Sequence, residues 1–161
     1  MKIRLIVIGK TDEKYLKQGL VKYEDRLKHY ANYEMVIIPD IKKGKKQNIQ
    51  LQQQEEGELI LSKIKTSDHL VLLDERGKTF SSVEYAKHIE KKMVGGVSSI
   101  AFVIGGPFGF SKKVYARAND KLSLSAMTLS HQMIRLFFVE AIYRTFTIIR
   151  GEKYHNEGGV E

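Results

Sequence analysis

The segment Ser98–Ile104, SSIAFVI, closes on five consecutive apolar residues. Successive side chains of a strand point to opposite faces, so a strand that is apolar at every position has to be covered on both. A sheet containing it needs helices above and below, and the chain supplies them in alternation. Lys2–Gly9 alternates charged and aliphatic residues before running apolar, as a strand does that begins exposed and ends buried. Asp12–Ala31 carries Leu16, Leu20, Tyr23, Leu27 and Tyr30 at three- and four-residue spacing, which predicts an amphipathic helix. Tyr33–Pro39 reads as a second strand, Gln47–Lys65 as a second helix and His69–Asp74 as a third strand. Ser81 or Ser82 then caps a helix that runs to about Val94, where Gly95 and Gly96 stop it. Ser98–Ile104 is the fourth strand and Leu122–Ser125 a brief fifth. The pattern predicts an α/β protein with a mostly parallel sheet covered by helices on both faces.

Ser130–Arg150 departs from simple amphipathicity. Met133, Ile134, Phe137, Phe138, Ala141, Ile142, Phe146 and Ile149 make one apolar face, and Leu136, Val139 and Tyr143 carry the apolar surface around the other side. Packing such a helix between the sheet and a second subunit buries both faces, which predicts a homodimer; full burial within one core is the alternative.

At 161 residues and 42% apolar content the chain is long enough for one substantial core. Lys and Arg number 27 against 19 Asp and Glu, a surplus that suits a polyanionic partner as well as a merely basic protein. The absence of cysteine excludes disulfides, thiol nucleophiles, cysteine-ligated zinc and iron–sulfur clusters, and it fits a reducing cytoplasm. No run approaches the roughly 18 apolar residues of a membrane span, so a soluble cytoplasmic protein without a membrane partner is expected. The densest basic cluster, Lys42–Gln47 with Gly44 inside it, is expected to be a mobile loop that is solvated or reaches for phosphate. His29, His69 and His88 have no metal-ligand spacing, so no metal is expected.

The loop after the fourth strand, in FVIGGPFGFS (102–111), holds three glycines and a proline within five residues. A dinucleotide fingerprint needs glycine at its first, third and sixth positions, and from Gly105 the third is Pro107. Where a P-loop has its second glycine stands Phe110, and Pro107 removes one backbone N–H. The loop is therefore a poor phosphate nest. It still lets the backbone approach a flat ligand closely, such as an adenosyl group without phosphates, and S-adenosylmethionine fits that description. A tight structural turn is the alternative. A second unusual segment, LSLSAMTLSHQMIR (122–135), offers the hydroxyls of Ser125, Thr128 and Ser130 among small apolar neighbours, a mixture found in pockets for amphipathic small molecules. Its plain reading is a capped helix start with Ser130 at the N-cap.

Taken together, LLDERGK (72–78), FVIGGPFGFS, LSLSAMTLSHQMIRL (122–136), VEAIYRTFTIIRGEKYH (139–155) and the opening MKIRLIVIGK resemble the ribosomal RNA large-subunit methyltransferase H family, minimal members of the SPOUT class. The resemblance runs in order over nearly the whole chain. It implies a single SPOUT domain over residues 1–155, a C-terminal deep trefoil knot, a homodimer and S-adenosylmethionine as cofactor. It also implies methylation of N3 of a pseudouridine in 23S rRNA, in the assembled ribosome and not on DNA. Residues 156–161 are expected to be a disordered tail. Carried over by position, the cofactor contacts fall on Leu73, Gly105, Ser125, Ala126, Met127, Thr128, Leu129 and Ser130. Many members have proline where this chain has Ser130, and several have a polar residue where it has Phe108; both changes leave backbone contacts in place. A ribosome-binding factor that keeps the knot without catalysis, and a small adenine-nucleotide-binding protein, are the competing functions.

Methyl transfer from a sulfonium is an in-line displacement, so alignment is the main catalytic task. The proton on pseudouridine N3 must also leave, which a base or an oxyanion-stabilising cation assists. The resemblance assigns this work to Tyr154 and His155, in a tail that folds over the site in the dimer, and to Arg144. The alternatives are a frayed end for the Tyr–His pair and an ion pair with Glu140 for Arg144. Arg150 lies in the same RGEKYH stretch, and Arg135, one turn beyond His131, is a candidate for meeting phosphate.

Overall fold

The computed structural model describes residues 1–41 and 48–155, so the basic loop Lys42–Gln47 and the tail 156–161 lie outside the described residues. Five strands, β1 (Lys2–Ile8), β2 (Asn32–Ile38), β3 (His69–Lys78), β4 (Ser99–Ile104) and β5 (Asp120–Leu122), form one sheet in the order β2-β1-β4-β3-β5. All of the strand pairings are parallel. The helices are α1 (Lys14–Leu27), α2 (Ile49–Lys63), α3 (Ser82–Val94), α4 (Lys112–Arg117) and α5 (Met133–Ile149).

The two faces of the sheet build two separate cores. Ile3, Leu5 and Val7 of β1 join Ile100, Phe102 and Ile104 of β4 against α1, α3 and α5. Ile6 joins Ala101 and Val103 on the opposite face, where Ile60 of α2 and Val114 of α4 close over them. The residues from Ile100 to Val103 are fully buried, as the uninterrupted apolar run requires. Deep in the sheet, the Arg4 guanidinium bonds Asp68 at 2.9 Å and the Lys63 carbonyl at 2.8 Å, an ion pair that spans the start of β1 and the turn into β3.

Several boundaries differ from expectation for local reasons. β3 continues through the polar stretch Glu75–Lys78, re-registering against β5 between Leu73 and Lys78. A Cβ at Gly77 would sit 2.6 Å from the Leu122 backbone, so glycine is what lets the two chains close up there. β5 occupies Asp120–Leu122 instead of Leu122–Ser125, so the chain leaves the ladder at the residue where the strand was expected to begin. The helix α4 was not expected: it has six residues with only Val114 buried, too short for a periodic signal. Ser81 is the cap of α3, with Glu84 returning the bond in a capping box. Ser130 is not the N-cap of α5, a position held by Gln132, but its Oγ accepts from Met133 N at 3.1 Å in the turn just before.

α5 packs against α1 and α3. Much of the apolar surface that argued for a second subunit is thus covered within the chain, through Phe138, Val139, Ile142 and Phe146. Met133 and Phe137 remain 37% and 46% exposed. No helix among the described residues is long and apolar enough to cross a membrane.

Candidate functional site

A cavity of about 430 Å³ opens beyond the carboxyl ends of β3, β4 and β5, within the usual size range of small-molecule sites. In open α/β sheets this end is where ligands bind. One wall is the glycine loop. Gly109 N donates to Gly106 O at 3.2 Å, and Gly109 has φ 74°, a left-handed conformation that side chains disfavour. A Cβ on Gly105 would lie 2.9 Å from the Phe110 ring, so the absent side chain keeps this wall flat against the buried phenyl group. From behind, α2 braces the loop: Gln53 Nε2 donates to Phe108 O at 2.6 Å.

The opposite wall is the segment between β5 and α5. Ser123 Oγ donates to Ser125 O at 3.0 Å, and Ser125 Oγ accepts from Met127 N at 2.9 Å, so these hydroxyls hold the turn. Its far end is pinned by Arg135, which corrects the expectation that this residue meets phosphate. Arg135 is 1% exposed, and its guanidinium donates to Ile8 O at 2.7 Å, Gly9 O at 2.9 Å and Thr11 Oγ1 at 3.1 Å. Burial lowers its pKa from the ordinary arginine value, with Asp12 and Asp40 working the other way. It ties the start of α5 to the end of β1 and is a structural residue.

Of the residues expected to hold a cofactor, Leu73, Gly105, Ser125, Met127, Thr128 and Leu129 line the cavity, while Ala126 and Ser130 do not. The exposed His131 lies on its rim. Sequence reasoning missed Asp74, which follows Leu73 on β3. Its side chain is 7% exposed, its Oδ2 accepts from Tyr115 OH at 2.5 Å, and its Oδ1 accepts from Arg76 N at 2.9 Å. Burial opposes its charge, but these hydrogen bonds outweigh burial and hold its pKa below the usual carboxylate range. The signal was present as the first polar residue after an apolar strand.

This chemistry fits S-adenosylmethionine. Leu73, Ile104, Leu122 and Ile134 offer apolar contact to an adenosyl group, the flat Gly105 wall admits a ring at close range, and ionised Asp74 places a negative charge beside a cationic ligand. Among the described residues no three His, Asp or Glu side chains converge as a metal site.

Arg144, Tyr154 and His155 come together, away from this cavity. Arg144 Nη2 donates to Glu140 Oε1 at 2.5 Å, the ion pair weighed as the plain alternative, and its guanidinium also lies 4.8 Å from the Tyr154 ring centroid. Tyr154 OH donates to the same Glu140 oxygen at 3.0 Å, and Arg144 Nη1 lies 3.4 Å from His155 Nδ1. Burial works against the Arg144 charge, but the Glu140 hydrogen bond and charge outweigh it and raise its pKa. Burial first, then hydrogen bonds with Tyr23 and Glu140, raise the Tyr154 pKa as well. None of the three lines the cavity. From Ile134 on its rim to Arg144 is about 15 Å along α5, at 1.5 Å per residue.

The fold and cavity define an α/β protein with a cavity of small-ligand size beyond the carboxyl ends of its parallel strands. A family model described as a predicted SPOUT methyltransferase matches residues 1–155. The ribosomal RNA large subunit methyltransferase H of Flavobacterium johnsoniae is 54% identical over 157 residues, covering 98% of this chain and 100% of that protein. The proteins of the same name from Christiangramia forsetii and Parabacteroides distasonis are 54% and 52% identical, covering 97% and 98% of this chain and 99% and 100% of their own lengths. The chain belongs to the SPOUT methyltransferases and, within them, to the ribosomal RNA large subunit methyltransferase H family.

Proposed function

We propose that this protein methylates N3 of a pseudouridine in 23S rRNA of the assembled ribosome, in the cytoplasm, with S-adenosylmethionine held in the cavity between Gly105 and the Ser125–Leu129 wall. Family membership and the names of the relatives support the reaction class and the RNA substrate. Residues 1–155 act as one catalytic domain whose C-terminal part forms a deep trefoil knot, and two copies associate as a homodimer. The observation that carries the dimeric reading is the separation of about 15 Å, along α5, between the cavity and the Arg144–Tyr154–His155 cluster. A tail so far from the cavity of its own chain does its work at the cavity of a second one. Leu73, Gly105, Ser125, Met127, Thr128 and Leu129 form the cofactor-binding set in the cavity wall, Ala126 and Ser130 support the same segment from outside the lining, and Asp74 adds a counter-charge.

S-adenosylmethionine, when bound, supplies an electrophilic methyl on a good leaving group. The protein's task is to present N3 in line and to stabilise it once its proton has passed to solvent water. Loss of that proton spreads negative charge onto the two carbonyl oxygens beside N3, so hydrogen-bond donors aimed there lower the barrier. Tyr154, with its raised pKa, stays protonated at neutral pH, and its hydroxyl, which donates to Glu140 in the absence of substrate, turns to donate to the base. A guanidinium has no acceptor, so the 3.4 Å contact makes His155 Nδ1 the acceptor and leaves the ring proton on Nε2, free to be donated to the substrate. Arg144 adds fixed positive charge. The test is methylation of ribosomes from a strain lacking this enzyme, with the modified nucleoside identified by mass spectrometry. The expected product is N3-methylpseudouridine in large-subunit RNA, and no incorporation there overturns the reading.

A further inference from the structure

Next to the tail, α1 carries a surface that neither cavity nor catalytic cluster explains. Lys22, Tyr23, Arg26 and Tyr30 recur at helical spacing along one side of α1 and its end. Tyr143 joins this side to the tail, with ring centroids 6.1 Å from Tyr23, 5.7 Å from Tyr30 and 4.7 Å from Tyr154. Cations lie over these rings. Arg26 is 5.7 Å from the Tyr23 centroid and 5.8 Å from that of Tyr143, Lys22 is 5.7 Å from Tyr23, and Arg150 is 4.4 Å from Tyr30.

Lys22, Arg26 and Arg150 are exposed, and among the described residues none is in an ion pair with a carboxylate. Neighbouring cations differ: Lys28 pairs with Asp25 and Arg144 with Glu140. The Tyr30 hydroxyl is engaged by Glu152, whose hydrogen bond, with burial and charge, pushes its pKa up to about 12, so that this ring also stays neutral. A guanidinium held over an aromatic ring has already lost much of its rotamer freedom, and its planar fork matches a phosphate. Nucleic acid offers both phosphates for the cations and flat bases for the rings and guanidinium planes, and the proposed substrate makes it RNA.

We infer that this side of α1, comprising Lys22, Tyr23, Arg26 and Tyr30 together with Arg150, is the docking surface for the RNA strand that flanks the target base. The inference rests on the proposed rRNA substrate and deepens it, because the surface runs without a break into the Tyr154–Arg144–His155 cluster. Arg26 and Arg150 grip phosphates and the tyrosines carry unstacked bases, so a base presented at the tail brings its neighbours across α1.

The experiment compares wild-type protein with Arg26→Glu and Arg26→Lys, and with Arg150→Glu, using ribosomes from a strain lacking the enzyme. It reads filter binding across a salt series, KM and kcat for methylation, S-adenosylmethionine affinity by calorimetry, and sedimentation. Arg26→Glu and Arg150→Glu should each weaken ribosome binding and raise KM about tenfold or more, with kcat and cofactor affinity within about twofold of wild type. The slope of log affinity against log salt should fall by about 1 for each cation removed. Arg26→Lys should keep the slope while losing part of the affinity. Unchanged KM and unchanged salt slope in a wild-type background that methylates ribosomes overturn the surface and leave the enzyme reading standing. Loss of activity that tracks dissociation in the ultracentrifuge overturns it in favour of a contact with a second copy. If the wild type binds ribosomes through Arg26 but transfers no methyl, the surface stands and the proposed reaction falls.

Discussion

Arg144 Nη1 lies 3.4 Å from His155 Nδ1, while Glu140 holds the same guanidinium from its other side. The contact orders the last residue described in the tail and orients its imidazole. With Nδ1 turned to the guanidinium, Nε2 is the ring nitrogen left for the substrate in the proposed mechanism. His155→Ala should keep dimerisation and cofactor affinity but lose about 100-fold or more in kcat, the usual worth of one donor to a developing oxyanion. Single-turnover methylation with calorimetry of cofactor binding separates the two effects, and unchanged turnover removes the tail from the mechanism.

Tyr154→Phe removes a hydroxyl and keeps the ring that packs at 4.7 Å on Tyr143. Turnover should fall about tenfold to 100-fold with little change in melting temperature. Because Tyr154 has its pKa raised above the usual tyrosine value, the wild-type pH–rate profile should show no limb from this phenol below about pH 10. A limb present in wild type and absent in Tyr154→Phe would make Tyr154 a base instead of a donor.

Gly105→Ala tests the flat wall. The added methyl meets the Phe110 ring at 2.9 Å, and overpacking of that kind costs about 1–3 kcal/mol. Relief requires the loop or Phe110 to shift, and either narrows the cavity. Cofactor affinity should drop about tenfold or more by calorimetry, with the variant still folded by circular dichroism.

Much of this arrangement was legible in the sequence because it depends on local chemistry. The apolar run of β4 required two covered faces, and the spacing of Gly105, Gly106 and Gly109 around Pro107 argued against a phosphate nest. What escaped depends on distant partners. Arg135 looked like a surface cation until its carbonyl acceptors on Ile8 and Gly9 were brought to it by the fold, and Asp74 needed Tyr115, 41 residues later in the chain, to mark it as a held carboxylate. The polar end of β3 was invisible to hydrophobic patterning because its pairing with β5 relies on the close approach at Gly77. The apolar circumference of α5 was correctly read as needing cover, but periodicity alone does not say that α1 and α3 provide much of it.

The Arg4–Asp68 pair sets acid stability. Burial opposes the Asp68 charge, but hydrogen bonds from Ser99 and Lys65 N and the Arg4 charge outweigh it, so the folded pKa lies below the unfolded value. Such a group contributes fully above the ordinary carboxylate value near pH 4, and its contribution is lost as pH falls from there through the depressed folded value. Asp68→Ala leaves Arg4 buried without its interior partner and should destabilise the protein by about 3 kcal/mol at pH 7. Urea melts from pH 7 down to pH 3 should show a shallower loss of stability in the variant than in wild type. Parallel curves would contradict this assignment.

In the proposed dimer, the cavity of one chain works with the tail of another. Co-expression of a Gly105→Ala chain and a His155→Ala chain under two affinity tags, followed by tandem purification, yields heterodimers in which one composite site is intact. Each parent homodimer should have little activity, and the heterodimer should recover about half of the wild-type methylation rate per dimer. A heterodimer no more active than its parents would contradict it, because the cavity and tail would then have to act within a single chain.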